Sequence, residues 1–337
     1  MPTQSKRSIH GIRILATGAF APKNVLKNED MERLGYDPQW IVKRTGIKSR
    51  NHVMPGQASS DLAIEAARDC MKNAGVQADE IDLILVATMT PDHFTPSVAC
   101  LVQAALGCQC GAMDVNAACT GFLYALVTGS HFVKAGTFRK VLVISAETMS
   151  MMVDREDKKT FPLFGDGGAA ALLEVDPNPD PDQSSGILGF RLASVGELAS
   201  RLVVPGGGSR NPASQEMLDQ RQQFLQMEGQ KVFKWAVRLI PEIVKEVVEI
   251  SNLTLGDVDL VVLHQANERI LNAAIANIDI DPAKVFKNIA NYGNTSSASV
   301  PISLHDAVLA GRIKRGDHVL LAGFGAGLTW ATCMLRW

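Results

Sequence analysis

The stretch "ADEIDLILVATMTPDH", Ala78–His93, leaves an acidic turn, runs through apolar residues and ends polar; "LGDVDLVVLHQANER", Leu255–Arg269, does the same. Each follows a helical pattern. Short apolar runs bounded by turn residues read as strands buried on both faces of a sheet. The same unit occurring twice predicts an internal duplication, and thus two similar α/β halves over 1–180 and 181–337. Their boundary is expected near "DPNPDPDQSSG", Asp176–Gly186, whose Pro, Asp and Ser suit an exposed connector.

Other strand-like runs are "IRILATG", "KVLVISAE", "AAALLEV", "HVLLAGFG" and "LTWATCMLRW", and they alternate with helical stretches. That alternation predicts an α/β protein with largely buried sheets. "SSDLAIEAARDCMKNAG", Ser59–Gly75, opens on Ser/Asp capping chemistry and ends on glycine, as a helix does. "GQKVFKWAVRLIPEIVKEVVEIS", Gly229–Ser251, is a second helix, expected to bend at Pro241. "VVPGGGSRNPASQ", Val203–Gln215, reads as a long surface loop.

Bulk properties exclude several classes. A chain of 337 residues with 46% hydrophobic and 20% charged content has ordinary globular composition, enough for one large or two medium domains and unlike a disordered segment. With 33 Lys+Arg against 35 Asp+Glu there is no overall basic field for capturing nucleic acid. The N-terminus is polar for ten residues and then only briefly apolar, too short for a signal-peptide core or a membrane span; a soluble cytoplasmic protein is expected. The six cysteines, Cys70, Cys100, Cys108, Cys110, Cys119 and Cys333, are few and lie mostly among apolar residues, which predicts free thiols in a reducing compartment. "CQC" at Cys108–Cys110 lacks a second pair at metal-ligand spacing, so no zinc site is expected.

Four stretches carry chemistry. In "DVNAACTGF", Asp114–Phe122, Cys119 opens a helical pattern that runs to Gly136. The positive end of a helix and its free N–H groups favour a thiolate and can hold an oxyanion, although a small buried structural cysteine fits the local sequence as well. His264 ends "VDLVVLH", at a strand's carboxyl end where ligands of α/β sheets gather, or simply as a strand-end histidine with a satisfied hydrogen bond. His93 holds the matching place in the first half. Asn294 lies in "NYGNTSSASVP", Asn291–Pro301, where Asn and Gly also suit an ordinary turn. "GFGAGLTW", Gly323–Trp330, lets backbone approach closely, or makes a tight hairpin.

Together, "DVNAACTGF", "HQANERI", "NYGNTSSASVP" and "GFGAGLTW", in this order, resemble β-ketoacyl-acyl-carrier-protein synthase III of the thiolase superfamily. "PQWIVKRTGIKSR" and "FPLFGDGGAAALLE" extend the resemblance over nearly the whole chain. It implies a thiolase-like fold, two pseudo-symmetric βαβαβαββ halves in an α-β-α-β-α layered arrangement, usually as a homodimer.

The resemblance makes Cys119 the nucleophile that takes an acyl group from acyl-CoA, with His264 and Asn294 completing the catalytic set. Transacylation needs a soft nucleophile ionised near neutral pH. The N–H groups of Cys119 and Ala326 are the implied oxyanion donors; Ala326 stands where many relatives have glycine, and the donor survives that change. Malonyl-acyl carrier protein then loses carbon dioxide, and the neutral donors of His264 and Asn294 hold the thioester oxygen of the resulting enolate. That enolate attacks the acyl-Cys119 carbonyl to give a 3-oxoacyl product. Decarboxylation drives carbon–carbon bond formation, so no metal or organic cofactor is expected.

For CoA, Trp40 and Arg44 match an adenine-stacking indole and a phosphate-binding cation, while Gly229 and Asn267 match positions along the pantetheine tunnel. Lys234 and Arg269 match basic residues that meet the acidic carrier protein. Thr95 and Phe324 are placed at the acyl pocket.

Two departures matter. Lys158 stands where some relatives close an Arg over the adenine, and Lys cannot stack a planar guanidinium. Thr95 replaces the Phe of acetyl-preferring relatives, which predicts a primer longer than acetyl. The leading expectation is a priming synthase of type II fatty-acid synthesis; the alternative is a same-fold acyltransferase of specialised metabolism with another starter or nucleophile. A non-catalytic nucleotide-binding protein is disfavoured because no G-x-G-x-x-G follows the first strand, "ATGAFAP" being the nearest approach.

Overall fold

The computed structural model describes residues 7–178, 180 and 183–337; residues 1–6, with the start of the polar N-terminus, and Pro179, Pro181 and Asp182 of the expected connector lie outside the described residues. The strands that form the two main sheets are β1 Ile9–His10, β2 Ile12–Phe20, β3 Leu83–Ala87, β4 Gly111–Val115, β5 Lys140–Thr148, β6 Asp166–Val175, β7 Gly186–Ser194, β8 Leu260–Leu263, β9 Val285–Phe286, β10 His318–Gly325 and β11 Thr329–Arg336. The longer helices are α1 Pro38–Thr45, α2 Ser59–Ala74, α3 Val98–Leu106, α4 Gly121–Lys134, α5 Gly229–Ile250, α6 Glu268–Ile275 and α7 Ser299–Leu309.

One sheet has the order β2-β6-β5-β3-β4, the other β7-β11-β10-β8-β9 with β1 added beside β7. Their connectivity and directions are the same. In each, the first strand pairs antiparallel with the last, the last pairs antiparallel with the fourth, and the fourth, second and third run parallel. The two similar sequence units are β3 and β8, each entered through a tight turn, Ala78–Glu80 and Leu255–Asp257, and each second in its own sheet.

Side chains alternate across a strand, so a strand buried on both faces feeds two cores. Leu83, Leu85 and Ala87 face a central core with Val141, Val143, Leu260, Val262 and Leu321. Helices α4 and α7 fill that core from between the sheets, through Phe122, Leu123, Leu126, Val300 and Leu304. Ile84, Val86, Leu142 and Ile144 face the other way, onto α2 and α3. Val261, Leu263, Leu320 and Met334 meet α5 and α6. Five layers follow: outer helices, sheet, central helices, sheet, outer helices.

Local chemistry refines the expected helices. Helix α2 ends on Gly75 in the left-handed region (φ 67), as expected. Its N-cap is Ala58, whose N–H donates to the carboxylate of Asp61 in the first turn at 2.8 Å, while the Ser59 hydroxyl donates to the Thr90 carbonyl at 2.6 Å. Of the expected Ser/Asp capping chemistry the aspartate thus serves the helix start, and the serine ties the helix to the end of the first parallel unit. Helix α5 carries Pro241 inside one continuous helix. No helix among the described residues is long and apolar enough to cross a membrane.

Candidate active site

The two central helices begin close together. Cys119 occupies a turn, Ala118–Thr120, that leads from β4 towards α4, and Ser296–Ala298 forms the equivalent turn before α7. Both turns hold a non-glycine residue in the left-handed region, Ala118 at φ 48 and Ser296 at φ 51. Such a conformation is uncommon, and here it presents the following or same side chain at a helix start. The backbone N–H groups of Cys119 and Ala326 lie near the Cys119 sulfur and favour its charged form.

Ala326 reaches the sulfur because the hairpin between β10 and β11 passes very close. A Cβ added at Gly325 would lie 2.7 Å from the Cys119 Cβ and 2.8 Å from its nitrogen. Glycine is required there by close approach rather than by its φ.

His264 immediately follows β8. Its Nδ1 lies 2.6 Å from the Ser299 hydroxyl, which also accepts the Gln265 N–H at 3.2 Å, and its ring packs edge-on to Phe324 with centroids 5.4 Å apart. Asn294 is pinned through its backbone: its N–H donates to the Leu163 carbonyl at 2.8 Å, and its carbonyl accepts from Gly165 at 3.0 Å. This is the structural role of "FPLFGDGG". That strand-like edge holds the Asn294 loop in place.

Cys119, His264, Asn294, Phe324 and Ala326 line one cavity of about 180 Å³, closed by Met89, Phe164, Leu225 and Phe233. Leu163, Met227, Gly229 and Asn267 line both this cavity and an outer cleft of about 650 Å³. The cleft contains Trp40, Arg44, Lys158, Lys159 and Arg269. Arg44 lies over the half-exposed Trp40 ring, 5.8 Å from its centroid, and the Lys158 ammonium sits over Tyr36. A basic, aromatic-rimmed mouth thus leads inward to a buried thiol.

Burial sets the charges. It pushes the Cys119 thiol up to about 11, with the nearby Glu147 adding to the rise and the donated hydrogen bonds only partly offsetting it. Burial thus works against the expected thiolate and in favour of the thiol. Burial likewise pulls the His264 imidazolium down to about 3, so the ring is neutral at physiological pH. That agrees with an N–H donor role.

Several expected residues stand elsewhere. Thr95 lines a different cleft with His93, Phe94, Met151 and Met152, and this chain does not bring it to the Cys119 cavity. Lys234 lies on a basic patch with Arg201, Lys231 and Arg238, whereas Arg269 is at the outer cleft, over the Phe233 ring. Glu147, Ser296 and Ser299 were missed as members of the site. The serines lay in the open, inside "NTSSASVP"; Glu147, at the end of "KVLVISAE", gave no signal except that a charge ended a buried strand. Among the described residues there is no group of three or more His, Cys, Asp or Glu able to hold a metal.

Comparison with known proteins places these features in context. Residues 113–196 match the family profile of 3-oxoacyl-[acyl-carrier-protein] synthase III, and residues 248–337 match that of its C-terminal part. The chain is 51% identical to the β-ketoacyl-[acyl-carrier-protein] synthase III of Rhodopirellula baltica, over 98% of this chain and 99% of that one. It is 45% identical to the protein of that name from Solibacter usitatus, over 96% and 98%. The crystal structure of 3-oxoacyl-[acyl-carrier-protein] synthase III from Aquifex aeolicus superimposes with a TM-score of 0.88 at 40% identity, covering 97% of this chain and 100% of that one.

Proposed function

The chain belongs to the β-ketoacyl-[acyl-carrier-protein] synthase III family, and on that premise we propose that it joins an acyl-CoA primer to malonyl-acyl carrier protein by decarboxylating condensation, the initiating step of type II fatty-acid synthesis. One observation carries the reading: a cysteine sulfur that faces two backbone N–H groups lies in a cavity shared with a neutral imidazole and an amide, at the end of a basic cleft.

In this reading Cys119 attacks the acyl-CoA carbonyl, and the oxyanion takes up the N–H groups of Cys119 and Ala326. CoA leaves through the cleft, its adenine against Trp40, its phosphates near Arg44 and Lys158, its pantetheine past Gly229 and Asn267. Ala266 and Phe324 bound the space around the acyl group. Malonyl thioester then enters. His264 and Asn294 donate to its carbonyl oxygen while carbon dioxide departs, and a neutral ring suits this, because a donor with no charge to give up stabilises the enolate without protonating its carbon. The carbon attacks acyl-Cys119 and releases the sulfur.

The carrier protein is acidic in chemistry, and the Arg201, Lys231, Lys234 and Arg238 patch supports docking there, with Arg269 at the tunnel mouth. Exposed Phe94 and Met151, together in one cleft, support a self-associating face and hence a homodimer. The shared strand order supports a division of the chain into halves near residue 180.

The test supplies acyl-CoA and malonyl-acyl carrier protein and follows 3-oxoacyl product and carbon dioxide together. Equal amounts of both, dependent on Cys119, support the reading. Carbon dioxide or CoA release without condensed product contradicts it.

A further inference from the structure

Glu147 is the one glutamate among the described residues that is fully buried, and the steps above do not use it. Five donors surround its carboxylate: the Met89 N–H at 3.1 Å and the hydroxyls of Thr90 at 2.8 Å and Thr88 at 3.3 Å on Oε2, with Ser297 at 2.5 Å and Ser296 at 3.3 Å on Oε1. So many donors favour an ionised group, while burial alone disfavours it and raises its titration.

Ser296 joins it to the nucleophile. The Ser296 Oγ lies 3.5 Å from the Cys119 sulfur and 3.3 Å from Glu147 Oε1. Its left-handed backbone is fastened by the Ser296 N–H, which donates to Asn294 Oδ1 at 2.9 Å. Ser296 Oγ is placed to donate to either group; because a carboxylate is a stronger acceptor than a thiol sulfur, its hydrogen goes to Glu147 while Cys119 is a thiol, which leaves an oxygen lone pair for the S–H. His264 instead hydrogen-bonds Ser299. As a base it is weak, since burial holds its proton affinity down.

We propose that Glu147 stores the Cys119 proton for the lifetime of the acyl-enzyme, receiving it through Ser296. As the sulfur bonds to the acyl carbon, the thiol proton moves to Ser296 Oγ and the Ser296 hydroxyl proton moves to Glu147 Oε1. The bond from the acyl carbon to CoA sulfur breaks, and CoA leaves as a thiolate that takes its proton from water. After condensation breaks the bond from the acyl carbon to Cys119, the sulfur leaves as a thiolate and the stored proton returns by the same path. The Cys119 proton count thus closes on the protein, and the cycle as a whole takes up one proton from solvent, the one that CoA carries away. A neutral Glu147 also spares the incoming malonyl carboxylate a buried like charge. This inference rests on the condensing reaction proposed above.

The experiment is infrared difference spectroscopy on the whole protein before and after acylation with butanoyl-CoA or octanoyl-CoA, with the adduct on Cys119 confirmed by peptide mass. A new protonated-carboxyl band is expected, one per acyl group, that shifts when glutamate carries ¹³C in its carboxyl carbon. The labelled protein needs no substitution, so the test holds even if Glu147→Gln does not fold. Where that variant folds, it should acylate without the band and at least as slowly as Ser296→Ala. Ser296→Ala should acylate on the order of 10²-fold more slowly or worse. Full acylation with no such band, a band unmoved by the label (as Asp166, the other buried acid, would give), or a Ser296→Ala rate equal to that of the unchanged protein would overturn the proposal. If no acyl group attaches to Cys119, the condensing reading fails first and the proton store falls with it.

Discussion

The backbone N–H of Ser296 donates to Oδ1 of Asn294 at 2.9 Å, and this fixes which end of the Asn294 amide is which. A backbone N–H can bond only to the amide oxygen, so the NH₂ is the end left for the cavity. Asn294→Asp replaces that donor with an acceptor. Condensation should fall about 10²–10³-fold, as when one oxyanion donor is lost. Acylation of Cys119, followed by mass, should stay within a few fold. Equal loss of both steps would mean that Asn294 supports the nucleophile rather than the malonyl oxygen.

His264 should give no acid limb near its ordinary value of about 6.5, because its folded value is held at about 3. The sign for stability follows. Between these values the unfolded chain binds a proton that the folded one refuses, so this residue makes the protein less stable as pH falls through that window. Asp166, raised to about 6 by burial, acts in the opposite sense, so a difference between variants is the clean readout. In His264→Gln the slope of unfolding free energy against pH should drop by about 1.4 kcal/mol per pH unit around pH 4–6. Denaturant titrations across that range measure it. An unchanged slope would place the His264 proton affinity near normal.

Gly325→Ala tests the close approach of the hairpin to the nucleophile. The new Cβ would lie 3.1 Å from the Cys119 sulfur as well as against its Cβ and nitrogen. Either the turn or the cysteine must move, which should cost about 1–3 kcal/mol of stability and lower the acylation rate at least tenfold. Gly196→Ala is the control, since a Cβ there meets nothing within 4 Å. A Gly325→Ala protein as active as the control would remove Ala326 from the oxyanion site.

Trp40 and Arg44 should act on CoA binding and not on chemistry. Trp40→Ala or Arg44→Ala is expected to raise KM for acyl-CoA about tenfold, the loss of one charge-assisted or stacking contact, with kcat little changed. Steady-state kinetics at saturating malonyl-acyl carrier protein separates the two. A fall in kcat at constant KM would contradict the assignment of the outer cleft.

Much of the fold was legible because its strands are buried on both faces and so appear as plain apolar runs; "LILVA" and "LVVL" could hardly be anything else. Their repetition announced the matching sheets. Strand β7, "GILGFRLAS", escaped because two glycines and a polar arginine break its pattern, and it acquires its strand character from antiparallel pairing with β11. Strand β9 is only two residues long and is defined by its neighbour β8. At the site, Cys119, His264, Asn294 and the glycine turn stood out because they are unusual residue types at element ends. The burial that opposes a thiolate at Cys119 was not legible, since desolvation depends on what surrounds the sulfur in three dimensions. Nor was Glu147, brought to the nucleophile by the pairing of β5 with β3 and by the start of a helix from the other half. Thr95 follows the first strand unit closely in sequence, yet the chain turns it away into a separate cleft.

The most direct measurement incubates the protein with acyl-CoAs from acetyl to decanoyl, maps any adduct by peptide mass, and then adds malonyl-acyl carrier protein. A single acyl group on Cys119, discharged on that addition into a 3-oxoacyl product with one carbon dioxide released for each, is the expected result. An adduct on another residue, or a Cys119 adduct that malonyl-acyl carrier protein cannot discharge, would contradict it.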